Sequence, residues 1–314
     1  MKSDDLKSKE PPREFSGVLI IDKPAGMTSH DVVAAVRRIL RFRHIGHFGT
    51  LDPFATGVLP LSLGKATRFA QFYLKSRKAY EGAIRFGFAT DTYDATGKPA
   101  AEPIPVQVDA GALEEVFRKF TGRILQTPPP FSAKRVGGTR AYKLARKNIP
   151  VELKPVEVEI YALELLDVHG DTARFAVECS GGTYVRSLAH DVGQKLGFPA
   201  HLAGLRRTGV AEFTEKSAVT LAQLEEVAKS AQVNTYLIPV EALLPGCPEL
   251  LVRGREEISI RHGQAFELPQ ITRPGRSAEA PPARLLKIMN PDRHLIAVAR
   301  NTTGSVYHPD LVLG

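Results

Sequence analysis

The sequence places a single acid between glycines and a proline in one stretch, Gly46-His47-Phe48-Gly49-Thr50-Leu51-Asp52-Pro53-Phe54-Ala55-Thr56-Gly57-Val58-Leu59. Asp52 is the only acid of the stretch, and the next one along the chain is Glu81. Glycine permits backbone conformations that other residues avoid, and Pro53 restricts the position after the acid. Because apolar residues surround Asp52, we expect it at the edge of an apolar pocket. An ionised carboxylate there needs a cation or hydrogen-bond donors.

From spacing alone, Asp52 is equally well interpreted as the cap of an Asp-Pro turn. The whole stretch, however, resembles the motif of the tRNA pseudouridine synthase B family. In that family the catalytic aspartate lies in a Gly-(Thr)-Leu-Asp-Pro-x-Ala-Thr-Gly-x-Leu loop. The resemblance implies that Asp52 is the catalytic residue. Phe48 departs from the family, which usually has Thr at this position.

The length of 314 residues allows two domains. Cys179 and Cys247 match no zinc or redox spacing, which indicates a reduced, cytoplasmic protein. Residues 1–14 alternate acids and bases and are predicted to be a disordered tail. No apolar run approaches the roughly 20 residues of a membrane-spanning helix, so we expect no membrane association.

The net charge of +8 is concentrated in one segment. Residues 116–151 contain nine Lys or Arg and no Asp or Glu, so the other 278 residues together carry about −1. Such a concentration favours a surface that contacts a polyanion, although a solvated face is the alternative. The segment includes Thr127-Pro-Pro-Pro-Phe-Ser-Ala-Lys134 and Ala141-Tyr-Lys-Leu-Ala-Arg146, which resemble consecutive family segments. We therefore assign Lys134, Arg146 and Lys147 to substrate binding.

The first predicted strand, Gly17 to Asp22, precedes a helix that begins with the capping-box spacing of Thr28 and Asp31. Four arginines follow along and after this helix: Arg37, Arg38, Arg41 and Arg43. They either guide a phosphate backbone towards Asp52 or solvate the helix end, where cations suit the dipole.

Tyr80 lies on the apolar face of a predicted strand, Lys78 to Phe88, and periodicity alone makes it a core aromatic. The resemblance implies instead that Tyr80 stacks on the target base. By the same resemblance, His47 contacts the flipped-out nucleotide.

Arg186 lies at a strand-to-helix turn, where the helix dipole disfavours a cation unless a carboxylate is close. The surrounding Gly182-Thr183-Tyr184-Val185-Arg186 resembles the family motif whose arginine pairs with the catalytic aspartate. The resemblance therefore implies an Asp52–Arg186 pair, with Tyr184 at the substrate. It also implies that Leu205 lines the base pocket, although Leu205 by itself would be a core residue.

Two patterns raise the question of a metal site. Asp91 and Asp94 lie in a polar segment without the oxygen spacing of a calcium loop, so we interpret it as a turn. His44-x-x-His47 has the spacing of two metal ligands, but no third ligand is suggested nearby. We therefore predict no metal.

The chain changes character at Gly246-Cys247-Pro248. Short strands are predicted at Glu257–Ile260, Arg284–Met289 and Leu295–Arg300, with a loop from Pro269 to Pro282. Together with Arg261-His262-Gly263-Gln264, this order resembles a small β-barrel of the PUA type, an RNA-binding module often found at the C-terminus of this family.

The expected fold class is mixed α+β: a pseudouridine synthase catalytic fold with a central, mostly antiparallel sheet flanked by helices, plus a small PUA-like β-barrel. The expected domains are 15–245, which includes the basic segment 116–151, and 246–314.

The expected function is isomerisation of the T-loop uridine, position 55 of tRNA, by base flipping, without a cofactor. The expected partner is tRNA, gripped at the T arm and acceptor end by a monomer without an obligate protein partner. The alternatives are a non-catalytic RNA-binding or RNA-folding protein, a guide-RNA-dependent synthase, and a metal-dependent hydrolase using Asp52, His44 and His47.

Overall fold

The computed structural model describes residues 15–132, 134–136, 138–145, 147, 149, 153–230, 232–268 and 283–313. Its strands are β1 (Gly17–Lys23), β2 (Ile45–His47), β3 (Thr56–Leu63), β4 (Lys78–Phe86), β5 (Gly122–Gln126), β6 (Arg135–Val136), β7 (Thr139–Arg140), β8 (Val156–His169), β9 (Thr172–Cys179), β10 (Ala200–Val210), β11 (Phe213–Thr214), β12 (Glu249–Leu251), β13 (Phe266–Glu267), β14 (Leu285–Met289), β15 (Leu295–Thr303) and β16 (Val306–Val312). Its α-helices are α1 (Ser29–Leu40), α2 (Ala70–Tyr73), α3 (Ala110–Phe120), α4 (Ala141–Ala145), α5 (Val185–Leu196), α6 (Leu221–Lys229) and α7 (Gly254–Arg261).

The central sheet has the strand order β1-β3-β10-β4-β9-β8-β5, with β2 added beside β3 and β11 beside β10. All its pairs are antiparallel except β3 with β10, which is parallel. The predicted fold class, mixed α+β with a mostly antiparallel central sheet, is therefore confirmed. The order puts β3, β10 and β4 side by side. The stretch that contains Asp52 leads into β3, so it lies next to the strands that carry Leu205 and Tyr80.

Apolar side chains cover both faces of the sheet. Helices α3 and α5 pack on one face, where Leu113, Phe117 and Leu188 join the core. Helices α1 and α6 cover the sheet at its β1 end, with Val32 and Leu224 inward. The predicted capping box of α1 is present, because the Thr28 hydroxyl accepts from Asp31 N and the Asp31 carboxylate accepts from Thr28 N.

A second sheet, in the order β12-β14-β15-β16-β13, forms the C-terminal part of the chain. One sequence prediction is wrong here. Residues 257–260 form part of α7, not a strand, and Ile258 is exposed whereas Ile260 is buried. The alternation of Ile258 and Ile260 with polar residues indicated a strand, but the i,i+4 ion pair of Glu257 with Arg261 stabilises a helix. Upstream, a 3-10 helix, Gly64–Phe69, leads directly into α2. The predicted loop 269–282 lies outside the described residues.

Phe48, for which the sequence offered no role, is a core residue. Its ring is fully buried and stacks on Tyr73, with the ring centroids 4.5 Å apart and the planes 13° from parallel. The same cluster contains Val18 from the central sheet and Val298 from the C-terminal sheet. The residue just before the Gly49 turn is therefore anchored where the two sheets share a core.

We predict that Phe48→Ala lowers the free energy of unfolding by about 3–5 kcal/mol, the usual cost of removing a buried aromatic ring. Chemical denaturation of wild type and variant measures this change. Leu125→Ala is the control, since Leu125 is 74% exposed and its truncation should stay within about 0.5 kcal/mol of wild type. Equal stabilities for Phe48→Ala and wild type would contradict the proposed anchoring.

Candidate active site

The loop between β2 and β3, which carries Asp52, is held by polar contacts on both sides of the acid. The Ser29 hydroxyl accepts from Leu51 N at 2.8 Å and donates to Leu51 O at 3.2 Å. The Pro53 carbonyl accepts from Gly26 N at 2.8 Å and from Lys23 Nζ at 3.1 Å. The two residues that flank Asp52 are thus tied to the β1–α1 turn, and the carboxylate has a defined direction.

Asp52 pairs with Arg186, as the resemblance implied. Arg186 Nε lies 2.9 Å from Asp52 Oδ2 as an ion-pair contact, and Nη2 donates to Asp52 Oδ1 at 3.3 Å. The Asp52 side chain is 37% exposed, whereas that of Arg186 is 6% exposed. The carboxylate therefore faces an opening while the guanidinium lies behind it.

Arg186 is itself held from three further sides. Nη1 donates to Thr92 O at 3.0 Å, and Nη2 donates to Phe131 O at 3.0 Å. Nη1 also lies 3.4 Å from Oδ2 of the buried Asp94. The other carboxylate oxygen of Asp94, Oδ1, accepts hydrogen bonds from the Thr92 and Thr96 hydroxyls and from Thr96 N. Asp94 is thereby fixed as a second carboxylate on the same guanidinium.

The charge state of Asp52 reflects opposing effects. Dehydration by the surrounding protein raises the pKa of Asp52, the Arg186 cation lowers it, and the Asp94 carboxylate raises it again. Lys23 is fully buried beneath the loop, and burial lowers its pKa to about 8 although Asp52 acts in the other direction. The site thus holds two carboxylates between buried cations.

An apolar cluster adjoins the carboxylate. Tyr80 on β4 is 7% exposed and belongs to the same cluster as Leu51 and Ala55, against which Phe54 and Leu205 pack. Leu205 lies on the neighbouring strand β10, opposite Gly82. A methyl group on Gly82 would lie 2.7 Å from the Phe175 ring, so only glycine fits there. The structure therefore brings Tyr80 and Leu205 to the Asp52 loop.

His47 and Tyr184 flank this centre. His47 Nδ1 accepts from Gly49 N at 3.3 Å, which leaves Nε2 as the protonated nitrogen of the neutral ring. Burial lowers the pKa of His47, with a smaller effect of the neighbouring His30. The Tyr184 backbone is held at both N and O by the Gln126 amide, at 2.8 and 3.0 Å, directly before α5. That clamp positions Arg186, which is the second residue of the helix.

The basic residues lie outside this centre. Lys134 and Lys147 are exposed, whereas Arg146 lies outside the described residues. The end of α1 forms a second basic surface around a hollow of about 670 Å³, lined by Arg37, Arg38, Arg41, Phe42, Arg43 and His44. Arg37 donates to Ile45 O at 2.7 Å, and the described structure shows no ion pair for any of the four arginines.

Two observations bear on the metal and membrane questions. In the described ranges, no group of three or more His, Cys, Asp and Glu side chains is arranged to hold a metal ion. Of the helices in the described part of the chain, none is long and apolar enough to cross a membrane.

Sequence reasoning missed two residues of this site. Asp94 was interpreted as part of a turn. Its neighbours Thr92 and Thr96 do not indicate an ion pair with Arg186, which lies 92 residues later in the chain. Arg207 was given no role, yet it is one of the largest fully buried side chains. An arginine inside an apolar strand, two residues after Leu205, was the signal that could have found it.

The chain matches two family models. Residues 37–185 match the TruB family pseudouridylate synthase N-terminal domain, and residues 186–245 match the tRNA pseudouridylate synthase B C-terminal domain. Tyr80 and the Asp52 loop lie within the first match, and Arg186 begins the second.

Curated relatives are similar over nearly the whole chain. The tRNA pseudouridine synthase B of Solibacter usitatus (strain Ellin6076) is 47% identical over 299 residues, covering 95% of this chain and 100% of the relative. That of Aquifex aeolicus (strain VF5) is 46% identical over 252 residues, covering 80% of this chain and 86% of the relative.

Solved structures show the same architecture. A chain in a crystal structure of a Cbf5-Nop10-Gar1 complex is 26% identical with a TM-score of 0.70, and the match covers 94% of this chain and 84% of that one. A chain from an H/ACA RNP bound to a substrate RNA containing 2'-deoxyuridine is 26% identical with a TM-score of 0.68, covering 98% and 92%.

The carboxylate of Asp52 is held by Arg186 beside the apolar cluster that contains Tyr80, and the sheet is shared with the solved structures above. Together with the curated relatives, these features define the class as the pseudouridine synthases, which are isomerases. Within that class, the chain belongs to the TruB family of pseudouridylate synthases.

We predict that Asp94→Asn moves the acidic limb of the pH–rate profile to lower pH and slows the reaction about 10- to 100-fold. The Asp94 charge raises the pKa of Asp52, so its removal lowers that pKa and keeps Asp52 ionised to lower pH. The rate falls because Arg186 loses one of the groups that orient it. Single-turnover rates across pH measure both effects.

The control is Asp91→Asn, which neutralises the exposed acid three residues earlier in the same turn. It should leave the acidic limb in place. An Asp94→Asn profile that superimposes on the wild-type profile would show that Asp94 does not act on Asp52.

Proposed function

We propose that this chain is a tRNA pseudouridine synthase that isomerises the T-loop uridine, position 55, to pseudouridine. The observation that carries the proposal is the Asp52–Arg186 contact of 2.9 Å beside the apolar cluster that contains Tyr80 and Leu205. The names of the curated relatives, tRNA pseudouridine synthase B, support tRNA as the substrate.

The reaction breaks the C1'–N1 bond of uridine, and the electron pair goes to N1 of the base. The base then turns, C5 forms the new bond to C1', the C5 proton is lost and N1 is protonated. Atoms and electrons balance within the nucleotide, so no second reactant is consumed. Asp52 acts as nucleophile or general base on this path and must be ionised. Arg186 holds it charged and in one orientation.

The target base has to leave its stack before it reaches a partly buried carboxylate. Extrusion costs a few kcal/mol, which stacking on an aromatic ring and backbone contacts offset. In this proposal Tyr80 stacks on the uracil ring, Leu205 packs against its other side, and Tyr184 lies at the substrate. His47 donates through Nε2 to the flipped nucleotide.

The remainder of the RNA is held by basic surfaces. Lys134, Arg146 and Lys147 contact the T arm, and the arginines at the end of α1 guide the adjacent phosphates. The domain 15–245 carries the chemistry, and residues 246–314 contact the acceptor end. We propose that the enzyme acts as a monomer. Phosphate contacts of this kind supply affinity without sequence preference.

We predict that Asp52→Asn abolishes turnover and leaves tRNA binding within about threefold of wild type, because the amide keeps the shape but not the charge. The experiment incubates purified protein with an unmodified tRNA transcript and maps pseudouridine at each position. A single modified uridine in the T loop, absent with Asp52→Asn, is the expected result.

Three outcomes would contradict the proposal. Near wild-type turnover by Asp52→Asn would remove Asp52 from the chemistry. Tight tRNA binding by the wild type without product would favour an RNA-folding protein. Product only after addition of a guide RNA would favour the guide-dependent alternative, for which the similarity to chains of H/ACA particles is the specific observation.

We predict that Lys134→Gln with Lys147→Gln weakens tRNA binding and lowers the slope of log Kd against log salt by about one to two charge equivalents. Filter binding at several salt concentrations measures the slope. The control is Lys229→Gln, since Lys229 is an exposed lysine of α6 engaged with Glu226. A double variant with the wild-type slope would exclude both lysines from phosphate contact.

A further inference from the structure

Arg207 is a fully buried cation at the centre of the main sheet. It lies on β10 opposite Gly57 of β3 and Tyr80 of β4. Its guanidinium donates to Gly49 O at 3.1 Å and Thr50 O at 3.3 Å, and its Nε donates to Val58 O at 2.7 Å. These carbonyls lie before and after Asp52, so one side chain holds both ends of the catalytic loop.

The same guanidinium also reaches the pocket aromatic. Tyr80 lies directly opposite Arg207 on the neighbouring strand β4, and the two side chains are close enough for the Arg207 cation to act on the Tyr80 hydroxyl. Arg207 therefore connects the loop that aims Asp52 with the ring proposed to stack on the base.

Stability alone does not account for this residue. In the described part of the chain, no carboxylate forms an ion pair with Arg207, whose hydrogen-bond partners there are backbone carbonyls. Burying a cation without a counter-charge is costly, and an apolar side chain of similar volume is often the more stable choice. Its neighbour Arg206, by contrast, pairs with Asp22 and Glu215 on the other face of the sheet.

The loop that Arg207 holds packs tightly against β10. Gly57 has φ +99°, and a methyl group there would lie 2.2 Å from Arg207 O, so glycine lets the β3 backbone approach the Arg207 backbone closely. Gly49 has φ +142°, a conformation that favours glycine, and its carbonyl accepts from Arg207.

We propose that Arg207 is a positioning residue for the isomerisation, one that fixes the Asp52 loop and the Tyr80 ring as a single unit. Because its side chain is fully buried, it acts through these groups and does not touch the RNA. Its unpaired charge also favours the negative charge left on the base when the C1'–N1 bond breaks. The inference rests on the proposed function for its kinetic test, but not for its structural test.

The test compares Arg207→Lys with the matched control Arg206→Lys. Lysine keeps the charge but lacks the planar fork that reaches several carbonyls at once. We expect Arg207→Lys to lower the single-turnover rate at saturating enzyme by about 100-fold, since small misplacements of reacting groups have effects of this order. The enzyme concentration for half-maximal rate should change by less than about threefold. Arg206→Lys should change neither.

A double-mutant cycle separates positioning from a general loss of structure. If Arg207 acts partly through the Tyr80 hydroxyl, Arg207→Lys will slow the Tyr80→Phe enzyme at least about tenfold less than it slows wild type. Independent, multiplicative rate losses would overturn the connection with Tyr80.

Hydrogen exchange of the segment 48–58 tests the loop without any reaction. We expect exchange there to accelerate about tenfold or more in Arg207→Lys and to stay unchanged in Arg206→Lys. The exchange measurement can be interpreted even if the wild-type protein does not modify tRNA. Failure of the proposed function and failure of the positioning role are therefore distinguishable. Wild-type exchange in a folded Arg207→Lys protein would overturn the proposal.

If Arg207→Lys does not fold, Arg207→Ala with added guanidinium replaces it. Guanidinium at millimolar concentration should restore slow loop exchange and the reaction rate, whereas methylammonium should not. A folded Arg207→Ala protein that guanidinium leaves unchanged, or that both cations restore equally, would contradict the role of the planar fork.

Discussion

Keeping Asp52 charged inside a partly dehydrated pocket is the constraint on which the site depends. Dehydration favours the neutral acid and raises the pKa of Asp52 overall, and the Arg186 cation offsets part of this rise. That cation is itself buried and therefore needs partners of its own. Asp94 and the carbonyls of Thr92 and Phe131 provide them. One ion pair thereby accounts for the position of the turn around Asp94, the segment at Phe131 and the start of α5.

The second requirement is that the Asp52 carboxylate keeps one orientation. Contacts to the backbone of the Asp52 loop provide it. Ser29 fixes Leu51, Lys23 fixes Pro53, and Arg207 fixes the two ends. Side chains from α1, β1 and β10 thus define the shape of a loop that has few internal hydrogen bonds. Phe48 extends the same anchoring into the core shared with the C-terminal sheet. A rigid carboxylate is what positioning in catalysis demands.

Much of the fold and site was predictable because the relevant signals are local. The apolar run of β1, the capping box of α1 and the motif around Asp52 are each contiguous, so their physical meaning can be interpreted without tertiary information. The short C-terminal elements were less predictable. Ile258 and Ile260 alternate as in a strand, yet α7 buries only Ile260. Short apolar patterns of this kind fit helix and strand alike.

The sequence by itself determined that Asp52 sits in a glycine-rich loop, that Arg186 begins a helix, and that positive charge is concentrated in residues 116–151. Only the tertiary structure decided that Asp94 and Asp52 both contact Arg186, and that Arg207 binds backbone carbonyls at both ends of the Asp52 loop. These contacts join residues separated by about 90 to 160 positions. Those of Arg207 exist because sheet order places β3, β10 and β4 together. Local propensity carries no record of strand order, which depends on packing across the whole sheet.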